Sequence, residues 1–232
     1  MIIRLVLVLT LLVPLCVPAT AAGSSSNQQS PTLALQEKAE DLYRAGHHKR
    51  AYFIYVNELA AIGDKYAQYM AGYMWLNGQG VSQDRVTASA WYRLAAERGS
   101  PEFVAVRDQL LEAMSEAERE ASDAAYLRLR EEYSDLVIAM GHLRNERKLL
   151  NERPTGSYLS NSSSSVKIID PRTGNTITRS EYISRLESRM QVRLDYITDK
   201  LGIDRVEADM SNREFAALSD QVDAFIQVIN DR

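Results

Sequence analysis

The chain carries one cysteine, Cys16, in 232 residues, so it has no second thiol to pair with it. Intrachain disulfides are excluded, and with them metal sites built from thiolates. Histidine is nearly as scarce, at His47, His48 and His142 only. The first two are adjacent and would point apart on a helix, no H-E-x-x-H motif is present, and His142 reads as a surface residue. Positive charge is not in excess, with 27 basic against 31 acidic residues. Neutralising a phosphate backbone needs a basic field, so the balance argues against nucleic acid as a partner and gives no support for anionic lipid. Long apolar runs are absent except at the start, where residues 5–17 follow Arg4 and precede Ala19-Thr20-Ala21. That run is shorter than the roughly 20 residues of a membrane span. Its layout predicts a secretory signal peptide over 1–22, with no membrane insertion after cleavage. An uncleaved anchor helix, or a lipoprotein built on Cys16, are the alternatives.

What is present is helical. Residues 23–32, GSSSNQQSPT, read as a polar, flexible linker. Beyond them apolar residues recur at helical spacing to residue 152. Glycines punctuate the pattern at 46, 63 and 99, Asp64 caps a third helix, either Ser82 or Asp84 starts a fourth, and Pro101 opens a fifth. A repeat is visible in the same stretch. Ala60-x-x-Gly63-Asp64 recurs as Ala96-x-x-Gly99-Ser100, a period of 36 residues. Upstream, Ala51-x-x-x-Tyr55 matches Ala88-x-x-x-Tyr92, with one extra residue between tyrosine and alanine in the first copy. A helical hairpin of this length cannot bury its apolar face alone and must stack on a neighbour.

Ala67-Gln68-Tyr69, Gly72-Tyr73-Met74-Trp75, Gly78-Gln79-Gly80-Val81, Asp84, Ala88, Trp91-Tyr92, Ala95-Ala96 and Gly99 together resemble a Sel-1-like repeat. That family is related to the tetratricopeptide repeat. The resemblance is close over 63–99 and loose over 33–62. Ala71 stands where the family usually has leucine, and Ser100-Pro101-Glu102-Phe103 replaces the usual alanine-rich start of a further unit. The resemblance implies a short solenoid over 33–114 that needs a cap downstream.

Ser115-x-x-Glu118 forms a capping box, followed by a heptad-like series Tyr126, Leu129, Tyr133, Leu136, Met140, Leu143 and Leu150. The spacing predicts one long helix over about 116–152. A serine-rich loop and a small β-hairpin around Ile168 and Ile177 should occupy the insertion 153–178, and Asn161 lies there in a sequon relevant only to a eukaryotic host. Thr178-x-x-Glu181 and Ser211-x-x-Glu214 then cap two amphipathic helices. The expected fold is all-α, a short Sel-1-like solenoid over 33–114 continuing into a long-helix antiparallel bundle over 115–232 that carries the hairpin insertion.

No residues form a catalytic constellation in the sequence. Gly78 and Gly80 lack the strand and signature residues of a phosphate loop and read as a turn between helices. No G-x-S-x-G elbow occurs, and the acidic residues read as solvated helix faces. No cofactor or metal is expected. Recognition has two candidates. Tyr66, Tyr69 and Tyr73 share a face of one helix, and the resemblance to tetratricopeptide-like groove helices implies that these tyrosines, with Gln68, would meet a partner peptide. The alternative is that they pack on the preceding helix near Tyr52 and Tyr55. The second candidate, Arg185, Arg189 and Arg193 at four-residue spacing, either grips an acidic partner or is ordinary helix surface. The sequence thus points to a non-enzymatic adaptor or scaffold of a bacterial envelope, exported to the periplasm or secreted. Self-association through the heptad helices is the alternative, and a cell-wall or glycan-acting enzyme the third reading.

Overall fold

A computed structural model describes residues 30–151, 167–169 and 174–230. The expected signal peptide, the sequon and the serine-rich loop lie outside them. The described chain is predominantly α-helical. In order it forms α1 (Pro31–Arg44), α2 (His48–Ile54), α3 (Lys65–Asn77), α4 (Arg85–Ala95), α5 (Pro101–Glu112), α6 (Glu116–Tyr133), α7 (Asp135–Asn151), β1 (Lys167–Ile169), β2 (Thr176–Thr178), α8 (Arg179–Leu201) and α9 (Asn212–Asn230). The first helix takes in Pro31 and Thr32, which the sequence assigns to the linker, because proline fits the first helical turn without losing a needed N–H.

Local chemistry sets several of the helix starts. Asp64 accepts from the amide of Ala67, Asp84 from that of Val86 and Thr178 from that of Glu181. Ser115 and Glu118 close the reciprocal capping box. The helix that begins at α2 does not run straight to Gly63. It widens into a π turn over Tyr55–Leu59 and then tightens into a 3-10 turn over Ala60–Ile62. The stretch from Tyr55 to Ala60 is one residue longer than that from Tyr92 to Ala96, and a π turn accommodates one extra residue within a helix.

Two glycines allow close approaches around the turn between α3 and α4. A Cβ on Gly72 would lie 2.8 Å from the ring of Tyr92, so its absence lets α3 and α4 close on each other. A Cβ on Gly80 would lie 2.6 Å from the carbonyl carbon of His48, and φ there is +79°. The Gly78–Gly80 loop is therefore wedged against the start of α2. Its backbone is spent internally: the amides of Gln79 and Asp84 donate to the carbonyls of Met74 and Trp75.

The expected helix over 116–152 is two helices. Tyr133 ends α6, and Ser134 takes an extended conformation with φ −70° and ψ 149° before α7 begins. The break is stabilised from outside its own segment. Gln68 donates to the Tyr133 carbonyl at 2.9 Å, and the Asp135 amide donates to Glu97 at 3.1 Å. The Ser134 hydroxyl accepts from the amide of Val137.

The apolar series splits at the same point. Tyr133, with Trp91 at 4.8 Å between ring centroids, belongs to a core formed with α1 to α4. Leu136, Met140 and Leu143 belong to a second core with Met190, Leu194 and Ile197 of α8 and Leu218 and Val222 of α9. The short hairpin pairs Ile168 opposite Ile177 and packs on α8, with Ile177 buried. Among the described residues no helix is long and apolar enough to cross a membrane.

Candidate functional site

The tyrosine face predicted on α3 forms part of a row of aromatic rings that crosses several helices. Ala67, Ala71 and Met74 point into the core with no exposed surface, Tyr66 and Tyr73 turn away from it, and Tyr69 packs against its edge. Tyr66 is 43% exposed, while Tyr69 and Tyr73 are half-buried. The Tyr66 ring meets Tyr55 edge-on at 6.5 Å and stacks towards Tyr69 at 6.3 Å. Tyr69 in turn lies 5.4 Å from both Tyr92 of α4 and Phe103 of α5. Tyr73 meets Tyr43 of α1 at 6.4 Å. Separations and tilts of this kind are those that favour aromatic pairs.

Glu40 of α1 organises one end of the row. Its carboxylate accepts from the hydroxyls of Tyr55 at 3.0 Å and Tyr66 at 3.2 Å, and pairs with Arg44 at 2.9 Å. Burial, followed by the nearby Glu40 charge, raises the pKa of Tyr66 above the usual phenol value. The phenol therefore stays protonated and remains a donor. Tyr43 donates to Gln79 at 2.6 Å, which ties α1 to the glycine loop. Tyr55 thus contacts the tyrosine face, whereas Tyr52 turns away and accepts from the indole of Trp75 at 2.9 Å.

Gln68 does not belong to this surface. It has no exposed area, its amide nitrogen is engaged by Tyr133, and its oxygen accepts from Lys65 at 3.0 Å. One position before Tyr69, it projects to the other side of α3, into the seam where α6 ends. Its role is structural. Arg189 and Arg193 likewise turn inward. Both pair with Glu146 of α7, at 3.0 and 2.8 Å, and Glu146 is itself buried. Arg189 and Arg193 fasten α8 to α7, and Arg185 pairs with Glu181 within α8.

A second group of residues was not legible in the sequence. Lys65 is buried at the seam, and its ammonium donates to the Leu94 carbonyl at 2.8 Å and to Glu97 at 2.9 Å. Asp135 lies 3.2 Å from the same ammonium and receives two hydrogen bonds from Arg98, at 2.9 and 2.8 Å. Arg98 also donates to the Gly63 carbonyl at 3.1 Å. Two cations and two carboxylates from three helical segments balance one another, with the polar atoms satisfied as burial of charge demands. The sequence shows four unremarkable helix-surface charges. Only Glu97-Arg98 beside the repeated Gly99 marks a position where a repeat end could be held.

Among the described residues no cluster of histidine, aspartate or glutamate is placed to hold a metal ion. No protein-family model, no curated protein and no solved structure matches this chain.

Proposed function

We propose that this protein is a non-enzymatic interaction module that recognises a segment of a partner protein through the aromatic face of α3. In this reading residues 33–114 form a short Sel-1-like solenoid, the helices from α6 onwards cap it as an antiparallel bundle, and the chain works as an adaptor in the bacterial periplasm. The observation that carries the proposal is Tyr66, exposed at the edge of a ring row to which α3 and α5 contribute, with the separate Tyr43–Tyr73 pair joining α1 to α3. These are the first helices of successive hairpins, which line the groove in tetratricopeptide-like arrays. Tyrosine suits such a surface, offering large area, few torsions and a polar tip. The ring row also supports Tyr66 from behind, so binding costs little further ordering.

The reading is tested by placing a photocrosslinking residue at position 66 and irradiating in the native compartment. A discrete protein adduct is expected at 66, lost when Tyr73→Ala is added and absent when the crosslinker is moved to Val192, exposed on α8. Equal adducts at both positions, or none at 66, would sink it.

A further inference from the structure

A cavity of about 390 Å³ opens where the two cores meet, bounded by α4, α5, α6, α7, α8 and α9. Its size falls within the range of small-molecule sites. Four cationic side chains line it, Arg93, Arg107, Arg130 and Lys200, in a chain whose net charge is −4. Two carboxylates line it as well, Glu97 and Asp135, but both are already engaged by Lys65 and Arg98. They do not neutralise the cavity cations.

Nor do other acids neutralise them fully. Arg93 pairs with Asp123 and Arg107 with Asp108, and each of those carboxylates is more than half exposed. Solvent weakens such pairs. Arg130 and Lys200 have no carboxylate within ion-pair distance among the described residues. The remaining wall is aromatic. The Arg93 guanidinium sits 4.2 Å over the Tyr126 ring, the Lys200 ammonium is 5.7 Å from the Tyr196 ring, and Phe225 and Leu136 complete the apolar lining. Burial raises the pKa of both Tyr126 and Tyr196, so both rings stay neutral beside the cations.

We propose that this junction cavity binds a small organic anion, its carboxylate or phosphate held by Arg130 and Lys200 and its apolar body against Tyr126, Tyr196 and Phe225. A guanidinium matches the two oxygens of either acid group, an ammonium adds a point charge, and the rings supply area for an aryl or alkyl body. Because the lining comes from both cores, an occupant would also bridge them. The proposal is independent of the aromatic face on α3.

Calorimetric titration of the full chain with phenyl phosphate, inorganic phosphate and neutral benzyl alcohol tests it. Phenyl phosphate should bind saturably at one site and weaken as salt is raised, inorganic phosphate should bind at least tenfold more weakly, and benzyl alcohol should show no saturable binding. R130Q and K200Q should each weaken phenyl phosphate about tenfold, with the fold checked by circular dichroism. Where a variant fails to fold, ring-proton shifts in the wild type give the same answer: Tyr126 and Tyr196 should move on titration and Tyr66 should not. The idea is overturned if phenyl phosphate does not saturate, if folded R130Q K200Q binds it unchanged, or if the shifts fall on Tyr66. Equal affinity for inorganic phosphate would overturn the role of the rings.

Discussion

The two cores are built from different materials. The first, around α1 to α4 and the end of α6, is rich in alanine and aromatic rings, with Ala39, Ala51, Ala60, Ala67 and Ala71 around Tyr55 and Trp91. The second, around α7 to α9, is aliphatic: Leu136, Met140, Leu143, Met190, Leu194, Ile197, Leu218 and Val222. Small residues let backbones approach, as Gly72 and Gly80 do in the first region; Gly46 and Gly99 there face open space, as do Gly141 and Gly202 in the second, where no glycine makes such an approach among the described residues. Close backbone approach fixes one register, because any added atom collides. An aliphatic seam tolerates exchange of similar volumes. The first region is therefore specified by what its side chains leave out, the second by what they fill.

The largest test of that contrast is at the seam joining the two. Asp135→Ala leaves the buried Lys65 ammonium with one carboxylate fewer and removes the acceptor of Arg98, and should cost about 4 kcal/mol. Both tryptophans, Trp75 and Trp91, pack in or against the first core. In the native chain urea unfolding followed by tryptophan fluorescence and by circular dichroism should coincide. In D135A the two midpoints should separate, because the seam no longer couples the cores. Coincident transitions in D135A would show that the network is not the coupling element.

Within the first region, Gly80→Ala meets the His48 backbone and a positive φ together. It should destabilise by about 3 kcal/mol in the same assay. The matching change in the second region has the opposite sign. Gly141 lies inside α7 with open space where a Cβ would go, so Gly141→Ala should stabilise by about 0.5–1 kcal/mol. If both alanine variants moved stability in the same direction, the contrast between the regions would fail.

The smallest effect concerns pH. Burial, then the nearby Arg193 charge, lowers the pKa of His142 below the ordinary imidazole value of about 6.5. Between the lowered folded value and 6.5 the unfolded chain binds the extra proton and the folded chain does not, so stability rises with pH across that window. The contribution is complete above 6.5 and is lost as pH falls. His142→Gln should flatten that acid-side slope in melting temperature, and an unchanged slope would assign it to other groups.

Much of this architecture was legible because it is local. Asp64, Asp84, Ser115 and Thr178 act on amides two or three positions away, so their spacing announces the helix starts. The π turn at Tyr55–Leu59 was not foreseen, although the alignment of Ala51–Ala60 with Ala88–Ala96 holds one extra residue in that stretch. The break at Ser134 was not legible, since serine within a continuous 3-4 apolar rhythm is a weak stop. Gln68 and Glu97 stabilise it from 66 and 37 positions away. The tyrosine face was read as one surface, and Tyr66 is exposed on it. Gln68 adjoins Tyr69 in sequence but not on that surface, because helical geometry sends neighbours in different directions. The arginine stripe looked available for the same reason that the seam went unseen: Glu146, like Asp135, is distant in sequence from the cations it meets.

The sequence by itself determined the helical character, several helix starts and the apolar stripes, since each depends on a few neighbouring residues. Tertiary structure alone decided where the long apolar series divides, which charges neutralise one another and which remain unpaired around a cavity. Those outcomes depend on Coulomb and packing terms between segments far apart in the chain. The same lysine or arginine is a surface residue, a buried clasp or a binding group according to what the fold sets beside it.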